Sequence, residues 1–178
     1  MIFKETKLRG AFLIEIEKKE DPRGFFARAF CQKEFKAHGL DPHIAQVNVS
    51  SNLRKGTLRG MHFQGVPHQE VKMIRCTRGA IFDVIIDLRK NSPTHQEWFG
   101  VKLTADDYKM LYIPEDFAHG YLTLEDKSDV IYFMTQFYQP NAESGVRYND
   151  PAFGIEWPAV AETLLITDKD KNWPSYNS

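Results

Sequence analysis

Short apolar segments recur along most of the chain, and they constrain its fold more than any other feature. They are rich in Val, Ile, Phe and Tyr and are separated by Gly, Pro, Asn and Asp. The segments span residues 11–17, 25–30, 44–51, 57–64, 70–77, 80–88, 97–103, 110–113, 118–124 and 129–138. Many short strands at this spacing are typical of an all-β sandwich or barrel. The sequence therefore predicts an all-β fold, whose mouth can hold one small ligand among inward side chains.

Two regions depart from the strand pattern. The residues from about Gln32 to His38 predict one short helix, which ends at Gly39. The chain after Pro158 predicts a helical or irregular C-terminal tail. No repeat, linker or low-complexity stretch divides the sequence, so we expect one domain over residues 1–178.

The composition excludes several classes of protein. The 178 residues are 42% hydrophobic and 26% charged, which is typical of a globular protein with a full core. The 23 basic and 24 acidic residues nearly cancel, and no basic tail or stripe is present, so we expect no nucleic-acid partner. The chain has neither an apolar signal core at its start nor a run of membrane-spanning length. We therefore expect a cytoplasmic protein without membrane contact.

Three of the strand-like segments carry side chains that can move a proton. Residues 57–64 contain His62 and residues 113–120 contain His119, each in an apolar stretch flanked by glycine. A titratable group is costly to bury without a partner or a purpose. In residues 129–138, Tyr132 and Tyr138 are six apart, so strand alternation predicts that both lie on one face. A candidate base and a candidate phenolic acid in one small β protein indicate proton-transfer chemistry.

Alternation also separates polar from apolar side chains on other strands. Gln46, Asn48 and Ser50 alternate with Val47 and Val49. We prefer the interpretation in which such polar faces line the barrel interior. In the alternative interpretation these side chains face solvent. Residues 44–51 alone do not decide between the two interpretations.

Arg59 does not fit this alternation. Strict alternation points its side chain away from His62, three residues further on. A bulge or twist at Gly60 would bring both inward, and glycine in a strand often marks such a bulge. If both side chains face the interior, the strand must therefore be irregular at Gly60.

Metal binding is the main rival to proton transfer. Histidines on separate strands of a barrel can hold a divalent ion together with a carboxylate. Here, however, the first segment reads His62-Phe-Gln64 rather than two histidines two apart, and the next strand supplies Lys72. An ammonium group repels a dication, so we predict no metal site.

Segments from about residue 10 to the end carry a family resemblance when they are taken together. They are residues 21–26, 46–48, 58–64, 72, 82–84, 87–89, 92–94, 98, 113–120, 132, 138, 149–151 and 154–158. In order and spacing they closely resemble the dTDP-4-dehydrorhamnose 3,5-epimerase family. The resemblance implies a cupin-type double-stranded β-helix (jelly-roll) barrel. It also implies a homodimer that acts without a metal or other cofactor on a nucleotide-linked 4-keto-6-deoxyhexose.

The resemblance assigns roles position by position. His62 matches the catalytic base, Asp170 the acid that pairs with the base, and Tyr132 the acid that returns a proton. Lys72 matches the group that faces the keto oxygen of the sugar. The positions that match contacts to the nucleotide sugar are Arg23, Gln46, Asn48, Arg59, His119, Tyr138, Glu143 and Lys169. In this family Arg23 typically reaches into the site of the partner subunit, which would make dimerisation part of the function.

The chemistry explains these residue types. A 4-keto group acidifies the hydrogens on carbons 3 and 5, so catalysis needs a base near neutrality and positive charge where the enolate forms. An imidazole with an ordinary pKa of about 6.5 suits the first need, and Lys72 suits the second. The substrate's own ketone is the electron sink, so no cofactor is expected.

Several alternatives remain open at this point. A single-carbon 3- or 5-epimerase acting on a dTDP- or CDP-sugar would share every residue named. A non-catalytic sugar-binding cupin would bind ligand without exchange of ring hydrogens, and a metal-dependent cupin would lose activity to chelators. Three positions also depart from the family pattern: many members carry lysine at Phe133, and some carry an acid at Arg28 and tryptophan at Tyr148. We expect Phe133 to contact the outer packing, because alternation turns it away from the face of Tyr132.

Overall fold

The computed structural model describes residues 1–160 and 164–176. These residues form two antiparallel sheets that pack face to face, together with a small hairpin. In spatial order the larger sheet contains β1 (Ile2–Glu5), β2 (Phe12–Glu15), β10 (Met110–Ile113), β7 (Lys72–Arg78), β12 (Ser128–Met134) and β5 (Gln46–Asn52). In spatial order the smaller sheet contains β13 (Glu143–Gly145), β6 (Leu58–Gln64), β11 (Phe117–Thr123), β8 (Ala80–Asp87) and β9 (Trp98–Thr104). The hairpin pairs β3 (Lys19–Asp21) with β4 (Gly24–Phe26), and the helices are α1 (Gln32–Ala37) and α2 (Asp168–Lys171).

The core between the sheets is built from inward residues of their central strands. Ile74 and Leu111 of the larger sheet meet Ile81 and Ile85 of the smaller one, and all four are fully buried. Burying one such side chain contributes about 1.5–3 kcal/mol. Tyr121 of β11 belongs to the same cluster, at the edge where the space between the sheets becomes polar. The apolar core therefore fixes the distance between the two sheets and their position relative to each other.

Each sheet is also covered on part of its outer face. Phe35 of α1 packs with Met73 and Tyr112 on the larger sheet. Val84 of the smaller sheet packs with Val146 and Phe153 of the chain that follows β13. Because apolar side chains cover it on both faces, β8 is buried along nearly its whole length and shows no polar alternation.

The prediction of an all-β fold is confirmed, and each predicted apolar segment contributes a strand. The segment 25–30 contributes only its first residues, as part of β4. The strands β1, β3 and β13 were missed, and the last two are too short, at three residues each, to show a period. The predicted helix is α1, with Gly39 just beyond it at φ 72°, and the tail contains α2. Neither helix of the described residues is long and apolar enough to cross a membrane.

One strand prediction is wrong in its extent. Strand β12 ends at Met134, so Tyr138 does not share a strand face with Tyr132. Beyond Met134 the Thr135 N–H still donates to the Val71 carbonyl at 3.2 Å, and side-chain amides then accept from the N–H groups of Phe137 and Tyr138. The N–H of Phe137 donates to the Gln136 side chain, and the N–H of Tyr138 donates to the Gln46 Oε1 at 2.9 Å. The chain therefore leaves the sheet as a loop that crosses the mouth of the barrel.

Candidate active site

A cavity of about 290 Å³ opens between the two sheets at one end of the barrel. Its size is near the lower end of the range for small-ligand sites. Ten of the twelve predicted site residues line it, namely Gln46, Asn48, Arg59, His62, Lys72, His119, Tyr132, Tyr138, Glu143 and Asp170. The polar side chains Gln46, Asn48 and Ser50 of β5 thus face the cavity, as the preferred interpretation required, although Asn48 is itself exposed and Val49 also contributes to the lining.

The candidate base is paired with a buried carboxylate. His62 Nε2 lies 2.7 Å from Asp170 Oδ1, and the Gly60 N–H donates to Asp170 Oδ2 at 3.3 Å. Thr167, the N-cap of α2, accepts a hydrogen bond from the Asp170 N–H and fixes the turn that presents this carboxylate. Burial alone would raise the pKa of Asp170, but hydrogen bonding and charge interaction with His62 outweigh it and hold the pKa below its usual value. An ionised Asp170 only accepts, so it keeps the imidazole proton on Nε2 and leaves the lone pair on Nδ1.

Trp173 is a neighbour of the base that the sequence did not indicate. Its ring lies edge-on to His62, with centroids 6.1 Å apart. The space that it occupies depends on Gly145 of β13, where a Cβ would lie 2.4 Å from Trp173 Cε2. The C-terminal segment therefore supplies both the carboxylate and an apolar wall to His62.

The candidate acid is on the opposite wall. Tyr132 belongs to β12 of the larger sheet, whereas His62 belongs to β6 of the smaller one. Burial raises the pKa of Tyr132 well above its usual value, and the neighbouring Tyr121 and Asp83 add to this effect. Tyr132 is therefore a neutral phenol that can donate a proton.

Lys72 reaches from the larger sheet to the base. Its Nζ donates to the His62 carbonyl oxygen at 2.9 Å and lies 3.0 Å from Glu70 Oε1. Both side chains are buried, with 7% and 6% of their surfaces exposed. A buried ammonium requires a counter-charge, and Glu70, two residues before Lys72, could have been inferred on that ground.

The irregularity predicted at Gly60 is present and brings Arg59 into the cavity. The pairing of β6 with β11 shifts register between His119 and Tyr121, which leaves an extra residue on β6. Gly60 has φ 130°, and a Cβ there would lie 2.4 Å from the Gly120 Cα, so only glycine fits. Arg59 then lines the cavity together with His62.

His119 forms a second buried pair with a carboxylate. His119 Nε2 lies 2.6 Å from Asp83 Oδ1, and both side chains are almost fully buried. Within the part of the chain that the structure describes, Asp83 Oδ2 has no hydrogen-bond partner. His119 is thus a satisfied histidine of the core that also faces the cavity.

A chain of hydrogen bonds crosses the mouth of the cavity. The Tyr138 hydroxyl donates to Glu143 Oε2 at 2.8 Å, and Lys169 Nζ pairs with the same oxygen. Lys169 lies beside the cavity rather than among its lining residues. The Gln64 side chain fixes the loop that follows β12, because its amide accepts from the Gln139 N–H and donates to the Phe137 carbonyl. Gln64 shares the strand face of His62, so its inward position could have been read from the sequence.

Arg23 is the predicted site residue that lies away from the cavity. It sits at the turn of the β3–β4 hairpin with 89% of its side chain exposed and is paired with Asp21. Two of the positions that depart from the family also lie outside the lining. Arg28 pairs with Glu34, and Phe133 packs on the outer face of the larger sheet, as alternation predicted.

The lining residues do not form a metal centre. In residues 1–160 and 164–176 no group of three or more His, Cys, Asp or Glu side chains is placed to hold an ion. The charged groups around His62 are instead an ammonium, a guanidinium and carboxylates that are already paired with cations or histidines.

Comparison with known proteins identifies the family. A sequence model of dTDP-4-dehydrorhamnose 3,5-epimerase matches residues 5–178. The dTDP-4-dehydrorhamnose 3,5-epimerase of Methanothermobacter thermautotrophicus is 45% identical over 172 residues, which cover 96% of this chain and 92% of that protein. The crystal structure of the Elizabethkingia anophelis dTDP-4-dehydrorhamnose 3,5-epimerase superimposes with a TM-score of 0.96 at 33% identity and covers 99% of this chain and 96% of its own.

A second similar structure is that of ChmJ, a 3′-monoepimerase from Streptomyces bikiniensis in complex with dTDP-quinovose. Its TM-score is 0.87 at 33% identity, and the match covers 96% of this chain and 85% of that one. These likenesses confirm the cupin-type barrel that the sequence resemblance implied. The chain therefore belongs to the dTDP-4-dehydrorhamnose 3,5-epimerase family and is an isomerase of the epimerase type.

Proposed function

We propose that this protein inverts carbons 3 and 5 of dTDP-4-keto-6-deoxyglucose and so forms dTDP-4-dehydrorhamnose. One observation carries the proposal: a histidine–carboxylate pair and a neutral phenol lie on opposite walls of one cavity. Inversion requires that a proton leave one face of the sugar and that another arrive on the opposite face. His62 and Tyr132, on facing sheets, meet this requirement. A single domain over residues 1–178 carries the activity.

The first step is removal of a ring hydrogen by His62. The lone pair on Nδ1 takes the proton from carbon 3 or carbon 5, and the electrons of the broken C–H bond move into the 4-keto group. Asp170, 2.7 Å from Nε2, holds the tautomer and stabilises the imidazolium that forms. A base held in this way contributes about 10²–10⁴-fold to the rate.

The enolate that results carries negative charge on the oxygen of carbon 4. Lys72 lies beside the base, fixed by Glu70 and by the His62 carbonyl, and supplies a positive charge that needs no reorganisation. Arg59, turned inward at Gly60, adds a second cation to the same cavity. Such groups act more strongly where a bound sugar displaces water from the cavity.

The second step is return of a proton by Tyr132. Its O–H bond breaks, a C–H bond forms on the face opposite to His62, and the phenolate keeps the electron pair. Once the His62 imidazolium has released its proton to water and the Tyr132 phenolate has taken one from water, the same two steps at the other carbon give the doubly inverted product. The ketone of the substrate is the electron sink throughout.

The remaining predicted positions would hold the nucleotide sugar. We assign this role to Gln46, Asn48, Arg59, His119, Tyr138, Glu143 and Lys169, and to Arg23 acting from the partner subunit of a homodimer. The exposure of Arg23 at the tip of a hairpin suits a contact beyond its own chain. A cytoplasmic location is part of the same proposal.

The test is proton NMR of dTDP-4-keto-6-deoxyglucose incubated with the protein in deuterated water. We expect deuterium at carbons 3 and 5 and inversion at both. The same rate after treatment with a chelator would exclude a metal-dependent cupin. Lack of exchange with both the dTDP- and the CDP-sugar would refute the proposal and favour a sugar-binding protein.

A single-carbon epimerase is the second candidate. The observation that favours it is the similarity to the 3′-monoepimerase, which is as identical to this chain as the Elizabethkingia anophelis enzyme is, at 33%. Deuterium at carbon 3 alone would identify this activity in the same experiment.

A further inference from the structure

Asn52 is a buried amide at the end of β5 for which the steps above have no role. It is 2% exposed and lies opposite Ser128 in the pairing of β5 with β12. Its side chain binds groups on both sheets, namely the Ser128 carbonyl of β12, the Tyr121 hydroxyl of β11 and the Arg59 guanidinium of β6. A buried amide is costly unless its oxygen and its nitrogen are both bonded. An apolar side chain would avoid this cost, so the amide is best explained by what it binds.

The orientation of the amide is set from two sides. A guanidinium only donates, so the bond from Arg59 Nε at 2.8 Å requires the Asn52 oxygen. A backbone carbonyl only accepts, so the Ser128 oxygen at 3.0 Å requires the Asn52 nitrogen. The Tyr121 hydroxyl lies 3.1 Å from this nitrogen and 3.3 Å from the amide oxygen. A flipped amide would break the first two bonds, so Asn52 presents one fixed acceptor to Arg59.

This acceptor holds Arg59 by one edge of its guanidinium. Arg59 is an exposed residue of β6 that lines the cavity. Among residues 1–160 and 164–176, the bond from Nε to Asn52 is the one hydrogen bond that the guanidinium makes. Because the bond uses Nε, it leaves the two terminal nitrogens as a fork of donors. Burial raises the pKa of Tyr132 and the Arg59 charge acts against this rise, which is consistent with a guanidinium near the candidate acid.

A guanidinium fixed in this way is suited to a phosphate. Its two terminal nitrogens match two phosphate oxygens in geometry as well as in charge. The diphosphate is the permanent anion of the proposed substrate. An exposed arginine without a fixed partner must be ordered when it binds, and ordering one such side chain lowers affinity about 2- to 12-fold. The bond to Asn52 supplies this order before the ligand arrives.

We infer that Asn52 is a positioning residue that holds Arg59 ready for the diphosphate of the nucleotide sugar. The inference rests on the proposed function, which gives Arg59 a contact to that ligand. The bond between Asn52 and Arg59 also joins the two sheets. It therefore fixes the guanidinium relative to β5, the strand that carries Gln46 and Asn48.

The first test compares two ligands of Asn52→Ala. Calorimetry would measure the Kd of dTDP, and NMR titration would measure that of thymidine, which is the same nucleoside without phosphate. We expect dTDP to bind about 2- to 12-fold more weakly than to the wild type, the cost of ordering one side chain. Thymidine should keep its wild-type affinity. A merely structural defect of the cavity would weaken both ligands alike.

The second test asks whether Asn52 acts through Arg59. The Kd of dTDP is measured for Asn52→Ala, for Arg59→Ala and for the double variant. Arg59→Ala should weaken binding more than Asn52→Ala does. The double variant should bind dTDP as weakly as Arg59→Ala alone, because Asn52 has nothing left to hold. Independent effects would multiply in the double variant.

Ser128→Ala is the matched control. It removes a buried hydroxyl that bonds with Ala80 and Glu125, and it leaves the Ser128 carbonyl to Asn52. This variant should lose stability in urea unfolding but keep the wild-type affinity for dTDP. Loss of a buried hydrogen-bonding group elsewhere in the core is thereby separated from loss of the acceptor for Arg59.

The outcomes separate this inference from the proposed function. Wild-type affinity for dTDP in Asn52→Ala, equal weakening of dTDP and thymidine, or independent effects in the double variant would overturn the role of Asn52 and leave the epimerase intact. The expected binding results with no exchange of ring hydrogens in the wild type would support Asn52 and overturn the epimerase. A wild-type protein that does not bind dTDP would overturn both.

Discussion

Asp170 binds the imidazole of His62 across 108 residues of sequence, with 2.7 Å between Oδ1 and Nε2. The carboxylate comes from a four-residue helix in the C-terminal segment, and the histidine comes from a central strand of the smaller sheet. The C-terminal segment thus completes a site whose other walls are strands. This dependence makes the carboxylate a sensitive place to test the proposed base.

Asp170→Asn keeps a hydrogen-bonding side chain but removes the charge and allows the wrong tautomer of His62. We expect kcat to fall by about 10²–10⁴-fold, with binding of the nucleotide changed little. Stopped reactions followed by NMR would measure the rate, and calorimetry with dTDP would measure binding. Asp168→Asn is the matched control, because that side chain on the same helix is 93% exposed and should leave the rate unchanged. Full activity in Asp170→Asn would show that the pairing of Asp170 with His62 is not needed for catalysis.

Variants of the candidate base and of the candidate acid should lose activity in different ways. His62→Ala should abolish hydrogen exchange at both carbons while the nucleotide sugar still binds. Tyr132→Phe should spare part of the exchange but suppress inversion, because His62 can return its own proton to the original face. Deuterium incorporation and the stereochemistry of the product, measured on one sample, separate the two. Inversion at the wild-type rate in either variant would show that the replaced residue does not have the role proposed for it.

The strands could be predicted from the sequence, because alternation and turn residues are local. The inward polar face of β5 followed from the same local rules once a polar interior was assumed, whereas the irregular strand at Gly60 was expected only because the family resemblance placed Arg59 in the site. The pairing of His62 with Asp170 came only from the family resemblance, since no local pattern connects a strand with a helix 108 residues away.

Other features of the site depend on side-chain interactions that strand alternation and turn residues do not indicate. The apolar pattern runs through Tyr138, but the strand stops at Met134, and further on the Gln136 and Gln46 side chains accept from the N–H groups of Phe137 and Tyr138. Glu70 was missed although a buried Lys72 requires an anion, and Tyr121 was missed because an apolar context hides its hydroxyl. The contact of Arg23 with a partner subunit stays a prediction.

Asp87 should give the protein a stability that depends on pH. Burial alone would raise the pKa of this carboxyl, but hydrogen bonds from Arg89, Ser92 and Thr94 lower it from 3.8 to about 2. Because the folded pKa is depressed, the contribution is complete above about pH 4 and is lost as the pH falls toward 2. At about 1.4 kcal/mol per pKa unit it amounts to about 2 kcal/mol.

Urea unfolding of the wild type and of Asp87→Asn at pH 7, 4 and 2.5 measures this contribution. The difference in unfolding free energy should be largest at pH 7 and should shrink by about 1.5 kcal/mol at pH 2.5, where part of the contribution remains because the folded pKa is about 2. Asp106→Asn, at an exposed aspartate, should show no such change. A difference that is constant with pH would mean that Asp87 acts through neutral hydrogen bonds alone.

Gly60→Ala should damage the site and the fold together. A Cβ at this position would lie 2.4 Å from the Gly120 Cα and 2.9 Å from the His119 carbonyl oxygen, and φ is 130°. Backbone atoms cannot yield as a flexible side chain can, so β6 must shift where it carries Arg59 and His62. We expect a loss of about 1–3 kcal/mol in unfolding free energy and a larger loss in kcat than in affinity for dTDP.

Gly65→Ala provides the comparison at the end of the same strand. Its nearest neighbour to an added Cβ is the Ala142 carbonyl oxygen at 3.9 Å, an ordinary contact. This variant should therefore retain both stability and rate. If Gly60→Ala also retained them, the close approach of β6 and β11 would not be what directs Arg59 into the cavity, and the inward turn would have to come from the bond between Arg59 and Asn52 instead.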